Sequence, residues 1–362
     1  MVHNGELLEK YQRLNKSFRR KLVFRVGIDA GFFTEYTAMI NAMLWCLVNK
    51  VEFRLYSDHA NFGYSEIGGW NDYFNDFCAV DHHSFHSKYN FYKVPSLCRM
   101  VKTSVQSGSM NANYLSQGIK WLIKRSCTNV IGSVYAFLKY GPHVLLTFNV
   151  SRKELPDYFN IPELGLKGTY LDAFRMMVDI SWHFNENVLC QIAKETESLS
   201  IPDSYASCQI RGGDKVSEVE LIKPEQIIEK ILALSPFVQN IFVLSDDYRI
   251  IHRVRQAYPQ LMFYSLCAEN EKGYVNSDFC KMKGEMKRQQ MCRLLASFDI
   301  ILNSDLFVGS ITTGPSYFAL KYLFSTGKAV PVDAPQESIP KIVRSTVRER
   351  GKISTDYMNH KA

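Results

Sequence analysis

The second half of the chain alternates short apolar runs with segments of helical periodicity. Residues 205–210 predict a buried strand, Pro224 is placed to begin a helix, and residues 240–244 predict the next strand. Beyond them the same alternation predicts helices over 248–258, 283–297 and 315–321, and strands over 262–265, 300–303 and 306–308. A repeating strand–helix order is typical of a doubly wound parallel sheet.

The first half begins with a similar unit. Residues 21–28 predict a strand, a turn follows, and residues 34–49 have the periodicity of a helix before a second strand over 51–56. The aromatic-rich segment 61–92 is predicted to be loop-rich, and further helices are predicted over 112–124, 171–178 and 185–199. At 362 residues the chain is too long for one small core, so we expect two α/β domains.

The charge of the chain limits its partners. Lysine and arginine exceed aspartate and glutamate by 43 − 36 = 7, and no long run of basic residues concentrates the excess. A nucleic-acid-binding protein usually carries a denser basic stripe, so we expect no nucleic-acid partner. The excess charge either is spread over a solvated surface or lines a cleft for an anionic ligand.

The cysteines and the apolar runs bear on the compartment. The nine cysteines are irregularly spaced and form no Cys-x-x-Cys pair, which is typical of free thiols in a reducing compartment and argues against a zinc ribbon. The N-terminal segment lacks the apolar core of a signal peptide, and the run near 39–48 is too short to span a bilayer. We therefore expect a soluble, cytoplasmic protein without a transmembrane segment.

Three polar clusters follow predicted strands of the second half. The first is 211–215 (Arg-Gly-Gly-Asp-Lys), the second is 245–247 (Ser-Asp-Asp), and the third combines Asp305 with 309–316 (Gly-Ser-Ile-Thr-Thr-Gly-Pro-Ser). Because the carboxyl ends of parallel strands share one edge of a sheet, we expect the three clusters to meet in one crevice. Taken singly, they are also compatible with a tight turn, a helix N-cap and a capped loop.

The side chains of these clusters are suited to a nucleotide. Arg211 carries a planar set of donors that binds phosphate oxygens in a bidentate way, and Lys215 adds a second positive charge. Hydroxyl groups precede a helix that begins near Pro315, and a helix N-terminus favours a diphosphate. The carboxylates suit ribose hydroxyls or the N–H edge of guanine. The sequence has neither a Walker loop nor a Gly-x-Gly-x-x-Gly fingerprint after its first strand.

In order and spacing, the clusters resemble the three peptide motifs of GDP-fucose-dependent fucosyltransferases, above all the core α1,6-fucosyltransferases and nodulation fucosyltransferases. The resemblance rests on 209–216 (Gln-Ile-Arg-Gly-Gly-Asp-Lys-Val), 244–247 (Leu-Ser-Asp-Asp) and 305–310 (Asp-Leu-Phe-Val-Gly-Ser). The loop 29–33 (Asp-Ala-Gly-Phe-Phe) is similar to the glycine-containing N-terminal loop of that family. Residues 60–180 match no motif of the family.

The resemblance implies a glycosyltransferase B fold, with two Rossmann-like domains and a parallel sheet in the C-terminal one. It implies an N-terminal α/β domain on the acceptor side over 1–185, a donor domain for the nucleotide sugar over 186–334, and a C-terminal tail over 335–362. The implied activity is inverting transfer of L-fucose from GDP-β-L-fucose to a hydroxyl of a glycan acceptor, without a cofactor or a metal ion. The alternatives are a transferase for another GDP-sugar and a non-catalytic nucleotide-sugar-binding module.

The resemblance also implies roles for individual residues. Arg211 is expected to hold the β-phosphate, and Asp305 to contact guanine. Asp246 and Asp247 are expected beside the ribose and base. Three hydroxyl residues are expected near the diphosphate, and they are Ser310, Thr312 and Thr313. The other expected donor-binding positions are Gly31, Gln209, Gly213, Asp214, Lys215, Ser245 and Gly309.

The chain departs from the family at two positions of the first motif. Gln209 stands where the family has histidine, and Gly212 stands where it has a second arginine. Without that guanidinium one phosphate donor is missing, so Lys215 or a helix end is expected to do more. The register of the family's catalytic base falls between Glu218 and Glu220, and either carboxylate is a candidate to accept the proton of the attacking hydroxyl.

Two further patterns have competing interpretations. His82, His83 and His86 next to Asp81 are compatible with a metal site, but the segment lacks clear helical periodicity. An exposed loop or acceptor-site histidines are therefore preferred. The aromatic residues over 70–77 favour a place in the core over a surface that stacks on sugars.

Overall fold

The computed structural model describes residues 5–91, 112–147, 150–212 and 222–359. Its first half contains a sheet of four parallel strands and a short antiparallel pair. The strands of the sheet are β1 Arg20–Arg25, β2 Val51–Tyr56, β3 Ala79–Val80 and β4 Val144–Leu146, and the pair is β5 Tyr158–Ile161 with β6 Leu166–Thr169. The sheet has the order β3-β2-β1-β4.

The second half contains a sheet of five parallel strands. Its strands are β7 Ala206–Ile210, β8 Asn240–Ser245, β9 Met262–Tyr264, β10 Leu306–Gly309 and β11 Ala329–Pro331. The order is β11-β10-β7-β8-β9. Strands β8 and β9 are added on one side of β7, and β10 and β11 are then added on its other side. The direction changes between β7 and β10, and open α/β sheets bind their ligands at such a switch point.

Helices pack against both sheets. Those of the first half and of its junction with the second are α1 Gly5–Lys16, α2 Phe32–Val48, α3 Phe85–Tyr89, α4 Ala112–Tyr140, α5 Tyr170–Ser181 and α6 Glu186–Leu199. Those that follow are α7 Pro224–Leu234, α8 Tyr248–Ala257, α9 Asn276–Lys281, α10 Gly284–Asn303, α11 Gly314–Leu323, α12 Ile339–Ile342 and α13 Val347–Asn359.

The first sheet is built around helix α2. Twelve of the 17 residues of α2 are buried, so this helix is enclosed by protein rather than lying on a surface. Trp70 and Phe74 stack in the same core, with ring centroids 4.2 Å apart. Trp70, Phe74 and Phe77 are buried there as well. The predicted core position of this aromatic segment is confirmed.

The two halves share one apolar core. The ring of Phe33 on α2 lies 4.4 Å from Phe298 on α10 and 5.3 Å from Phe318 on α11, measured between centroids. Tyr36 stacks on Phe318 at 5.0 Å. Aromatic contacts of this kind bury a large apolar area and hold the first turns of α2 against the second sheet's helices. The loop before α2 is thereby fixed opposite the carboxyl edge of the second sheet.

The predicted α/β class with parallel sheets is confirmed, since each half of the described chain forms an α/β domain with its own parallel sheet. One strand prediction is wrong: residues 300–303 are the last turn of α10, because a short apolar run fits a buried helix as well as a strand. Helix α4 also extends far beyond the predicted 112–124. The domain limits at 185 and 334 stay predictions.

Two observations concern the whole of the described chain. Within the described ranges, no helix combines the length and the apolar character that a bilayer-spanning segment needs. The cysteines that the structure describes are free thiols.

Candidate functional site

A cavity of about 420 Å³ lies between the two domains, at the carboxyl edge of the second sheet. From the first domain it is lined by the end of the loop after β1 and the first residues of α2, including Gly31 and Phe33. From the second domain it is lined by residues that follow β7, β8 and β10, including Arg211, Asp246 and Thr312. A cleft of this size at a switch point is the usual place for a small-molecule ligand in this class of fold.

The ends of β7 and β10 are joined by a side-chain hydrogen bond. Thr313 Oγ1 donates to Gln209 Oε1 at 2.5 Å, and both residues are buried. Gln209 is the residue before last of β7, and Thr313 is the N-cap of α11. The bond therefore fixes the start of α11, with Pro315 in its first turn, beside the exit of β7.

Asp246 organises the loops that surround the cavity. Its Oδ1 accepts the backbone N–H of Gly212 at 2.7 Å, and its Oδ2 accepts that of Tyr274 at 3.0 Å. Its Oδ2 also lies 3.9 Å from Nε of Arg211, whose guanidinium lies 5.6 Å from the Tyr274 ring centroid. One carboxylate thus links the loop after β7 to the loop before α9, and it places Arg211 at the cavity.

Asp247 and Ser245 have a different role from the predicted one. Asp247 is the N-cap of α8: its Oδ1 accepts the backbone N–H of Arg249 at 3.0 Å, and the Arg249 guanidinium pairs with its carboxylate at 2.6 Å. These hydrogen bonds from Arg249 lower the pKa of Asp247. Ser245 bonds the backbone of Asp247, so the pair serves the turn into the helix. Ser245 lines the cavity and Asp247 does not, so the expectation that Asp247 lies beside the ribose and base needs correction.

A buried carboxylate, that of Asp333, fixes the loop after β10 by hydrogen bonds. Asp333 accepts hydrogen bonds from Ser310 Oγ at 2.6 Å and from the backbone N–H of Ile311 at 3.0 Å. Ser310 Oγ also lies 2.7 Å from Thr312 Oγ1. Burial raises the pKa of Asp333. Of the predicted hydroxyl groups, Thr312 lines the cavity, whereas Ser310 and Thr313 support the loop from inside the protein.

Helix α13 belongs to the site, although the sequence predicted only a tail there. Ser354 Oγ donates to Asp333 Oδ2 at 2.8 Å, and Arg350 Nε donates to the Ile311 carbonyl at 2.9 Å. The Arg350 bond attaches α13 to the loop after β10, and the Ser354 bond attaches it to Asp333, the carboxylate that holds this loop. Val347 and Arg350 line the cavity.

The loop after β1 is shaped by Glu35 in the first turn of α2. The Glu35 carboxylate is buried and accepts the backbone N–H groups of Gly27, Asp29 and Ala30 at 3.0 to 3.2 Å. A carboxylate that receives several N–H groups holds a loop in one conformation. Gly31 therefore lies at a defined wall of the cavity, and its role in donor binding stays a prediction.

Asp305 lies at the wrong end of the sheet for a contact with guanine. It precedes β10, its backbone N–H bonds the carbonyl of Tyr205, and its carboxylate accepts from Ser204 Oγ at 2.8 Å. Residue 205 comes just before β7, so Asp305 is at the amino edge of the sheet. The prediction that Asp305 shares a crevice with Asp246 is wrong. Asp305 precedes strand β10, whereas Asp246 follows strand β8, so the two residues lie at opposite edges of the sheet.

The remaining predicted residues divide into two groups. Gly309 is the buried last residue of β10 and does not itself line the cavity. Five candidates lie outside the described residues, and their predicted roles stay predictions: Gly213, Asp214, Lys215, Glu218 and Glu220.

Gly212 has no room for the arginine that the family carries there. A Cβ at this position would lie 2.9 Å from Asp247 Cβ and 3.1 Å from Asp247 Oδ2. Because Asp247 is fixed as the cap of α8, a side chain at 212 would have to displace that cap. The glycine at position 212 is thus required by its close packing against Asp247.

The histidines predicted as a loop or acceptor-site feature are not among the residues that line the cavity. His86 is buried, with Nε2 at 3.0 Å from the Tyr140 hydroxyl and Nδ1 at 3.0 Å from Asn90 Nδ2. His82 Nδ1 lies 2.9 Å from Asp58. In the part of the chain that the structure describes, no three or more His, Cys, Asp or Glu side chains are arranged to hold a metal ion.

Comparisons with known proteins give structural likenesses only. No family model and no curated protein matches the sequence. The fold is similar to that of the fucosyltransferase NodZ from Bradyrhizobium, at 11% identity and a TM-score of 0.47 over 83% of this chain and 92% of that one. It is also similar to POFUT1 in complex with GDP, at 12% identity and a TM-score of 0.42 over 86% of this chain and 97% of that one. A mutant of Arabidopsis thaliana FUT1 in complex with GDP is similar at 12% identity and a TM-score of 0.46, over 90% of this chain and 72% of that one. At this level of likeness, function has to be argued from the chain's own residues.

Proposed function

We propose that the chain is a fucosyltransferase that uses GDP-β-L-fucose and binds it in the cavity between the two domains. One observation carries the proposal. Arg211 and Asp246, from the first two motifs that resemble those of GDP-fucose fucosyltransferases, line the same cavity as Thr312, which follows the third motif in the loop after β10, at the switch point of the second sheet. Independent structural motifs would not need to meet at the one place where this fold binds nucleotides.

The diphosphate is proposed to lie between Arg211 and the N-terminus of α11. Free backbone N–H groups and the positive end of the helix dipole favour an anion at that terminus. Gly314 and Pro315 line the cavity there, and Arg211 lies across it on the exit of β7. Charge that develops on the leaving diphosphate would be stabilised by these groups and by Lys215.

The transfer step is proposed as a direct displacement. The acceptor hydroxyl oxygen forms a bond to C1 of fucose while the bond from C1 to the diphosphate oxygen breaks, and GDP leaves with the electron pair. The hydroxyl proton passes to a carboxylate, for which Glu218 and Glu220 are the candidates. One displacement inverts the β-linked donor into an α-fucoside. The reaction needs no redox partner, and its atoms balance as fucoside plus GDP plus a proton.

A glycan array incubated with GDP-fucose tests the proposal, with GDP release measured in parallel. We expect acceptor-dependent GDP release and fucose on a subset of glycans, and the same activity in excess chelator. The Arg211→Ala variant is expected to lose most of it. GDP-fucose binding without turnover on any acceptor would instead favour a non-catalytic binding module, and loss of activity on chelation would contradict the metal-free mechanism.

A further inference from the structure

Three arginines line the described part of the cavity, and they differ in what neutralises them. Arg211 Nε lies 3.9 Å from the carboxylate of Asp246, and Arg293 Nη2 lies 2.7 Å from that of Glu271. Arg350 is the third. Among the residues that the structure describes, no carboxylate forms an ion pair with it.

Arg350 is held by groups that orient its charge without neutralising it. Its Nε donates to the Ile311 carbonyl at 2.9 Å, and its Nη1 donates to the Ser345 carbonyl at 3.1 Å. The guanidinium lies over the ring of Tyr317, 4.0 Å from the centroid. Burial lowers the pKa of the Arg350 guanidinium, as expected for a cation partly withdrawn from water. A fixed, incompletely solvated cation at a cavity wall favours an anionic ligand there.

Arg350 lies next to the N-terminus of α11, the other group in the cavity that favours an anion. Ile311, which it bonds, belongs to the loop that leads into α11, and Thr312, Gly314 and Pro315 of that segment line the cavity. The guanidinium and the positive end of α11 therefore act on the same region. Ser354 on the same helix donates to Asp333, and Asp333 also accepts the backbone N–H of Ile311. This second connection fixes α13 against the loop that Arg350 contacts.

We propose that Arg350 binds the diphosphate of the donor and supplies the positive charge that the first motif lacks at Gly212. This inference rests on the proposed function. Position 212 cannot carry a side chain without displacing Asp247, and Arg350 provides a guanidinium at the cavity from a different part of the chain. Helix α13, which lies within the predicted tail, then completes the donor site.

Calorimetric titrations with GDP, GMP and guanosine test the assignment on wild-type protein, Arg350→Gln, Arg350→Lys and the control Arg348→Gln, which changes an exposed arginine of the same helix. Loss of a charged hydrogen bond predicts a Kd for GDP raised roughly 10- to 100-fold in Arg350→Gln. Guanosine affinity should not change, Arg350→Lys should recover part of the loss, and Arg348→Gln should match the wild type. Unchanged GDP affinity in Arg350→Gln would overturn the proposal.

A second measurement covers the case in which Arg350→Gln does not fold. In the wild-type protein, saturating GDP should slow modification of Arg350 by phenylglyoxal at least severalfold, as followed by mass spectrometry, while guanosine should not. Equal modification with and without GDP would overturn the assignment.

Failure of the proposed function is separable from failure of this inference. If the wild type bound no guanine nucleotide, inorganic pyrophosphate would replace GDP as the probe in both experiments. Weaker pyrophosphate binding by Arg350→Gln would then support a diphosphate role for Arg350 alone, and equal binding would contradict it.

Discussion

The Thr313 hydroxyl donates a hydrogen bond to Gln209 Oε1 across 104 positions of sequence. Gln209 lies near the end of β7, and Thr313 follows β10 as the N-cap of α11, so the bond joins the two sides of the switch point between these paired parallel strands. Gln209 stands where the fucosyltransferase motif that this segment resembles has a histidine. In this chain the glutamine oxygen is an acceptor that fixes the start of α11, so the substitution has a structural purpose.

Replacing Thr313 with valine should leave Gln209 Oε1 buried without its donor. We expect the free energy of unfolding to fall by about 1–3 kcal/mol, with weaker GDP binding because the start of α11 is released. Urea unfolding and calorimetry measure the two effects. The control is Thr196→Val, which removes a hydroxyl bonded to the Ile192 carbonyl on the surface of α6. If both variants lost the same small amount of stability, the bond would have no special role.

Two carboxylates that the sequence placed in the same nucleotide site should behave differently when neutralised. In Asp246→Asn an amide group faces the backbone N–H of Gly212 or Tyr274, and the attraction for Arg211 is lost. We expect GDP affinity to fall at least about tenfold. Asp305→Asn should bind GDP as the wild type does, because Asp305 lies at the opposite edge of the sheet. A larger effect from Asp305→Asn would contradict the placement of the site.

Introducing at position 212 the arginine of the fucosyltransferase motif that this segment resembles should not improve the stability or GDP affinity of the protein. In Gly212→Arg the new Cβ meets Asp247, so the cap of α8 has to move. We expect a loss of about 1–3 kcal/mol in the free energy of unfolding, by overpacking, and no gain in GDP affinity. Gly5→Arg is the matched control, since nothing lies within 4 Å of a Cβ built there. Tighter GDP binding by Gly212→Arg at unchanged stability would refute this view of position 212.

The buried carboxyl of Asp333 should make stability depend on pH. Burial raises its folded-state pKa above the ordinary value of 3.8, so the folded protein holds this proton more tightly than the unfolded chain does. The stability contributed by the neutral form is complete below about pH 4 and is lost as the pH rises through the folded pKa. Asp333→Asn should lack this loss. Urea unfolding of both proteins from pH 4 upwards tests the sign, and parallel curves would contradict it.

The sequence predicted the elements of the fold well where the pattern was unambiguous. Strand β2 lies where the run 51–56 placed it, and Pro224 begins α7 as its position suggested. The run 300–303 was misassigned because three consecutive apolar residues fit either a strand or a buried helix end. That error also misplaced Asp305, since a helix that continues to Asn303 leaves Asp305 before its strand.

The candidate site was predictable only in part. Arg211 and Asp246 directly follow strands β7 and β8. Because the carboxyl ends of parallel strands share one edge of a sheet, the sequence alone predicted that these two residues lie close together. Arg350 follows no strand and belongs to no motif, and its place in the cavity depends on bonds to Ile311 and Ser345 that no local pattern reveals. Glu35 falls within the predicted helix 34–49, and no local pattern marks its carboxylate as part of the site. Its role in shaping the loop after β1 depends on the loop turning back onto α2.

Calorimetric titration of the wild-type protein with GDP-fucose, GDP-mannose and UDP-glucose tests the central claim most directly. A donor site built for GDP-fucose predicts saturable binding of GDP-fucose, with weaker binding of GDP-mannose and weaker still of UDP-glucose. Tighter binding of GDP-mannose would contradict the choice of fucose. The absence of binding to all three would contradict a nucleotide-sugar site in the cavity between the domains.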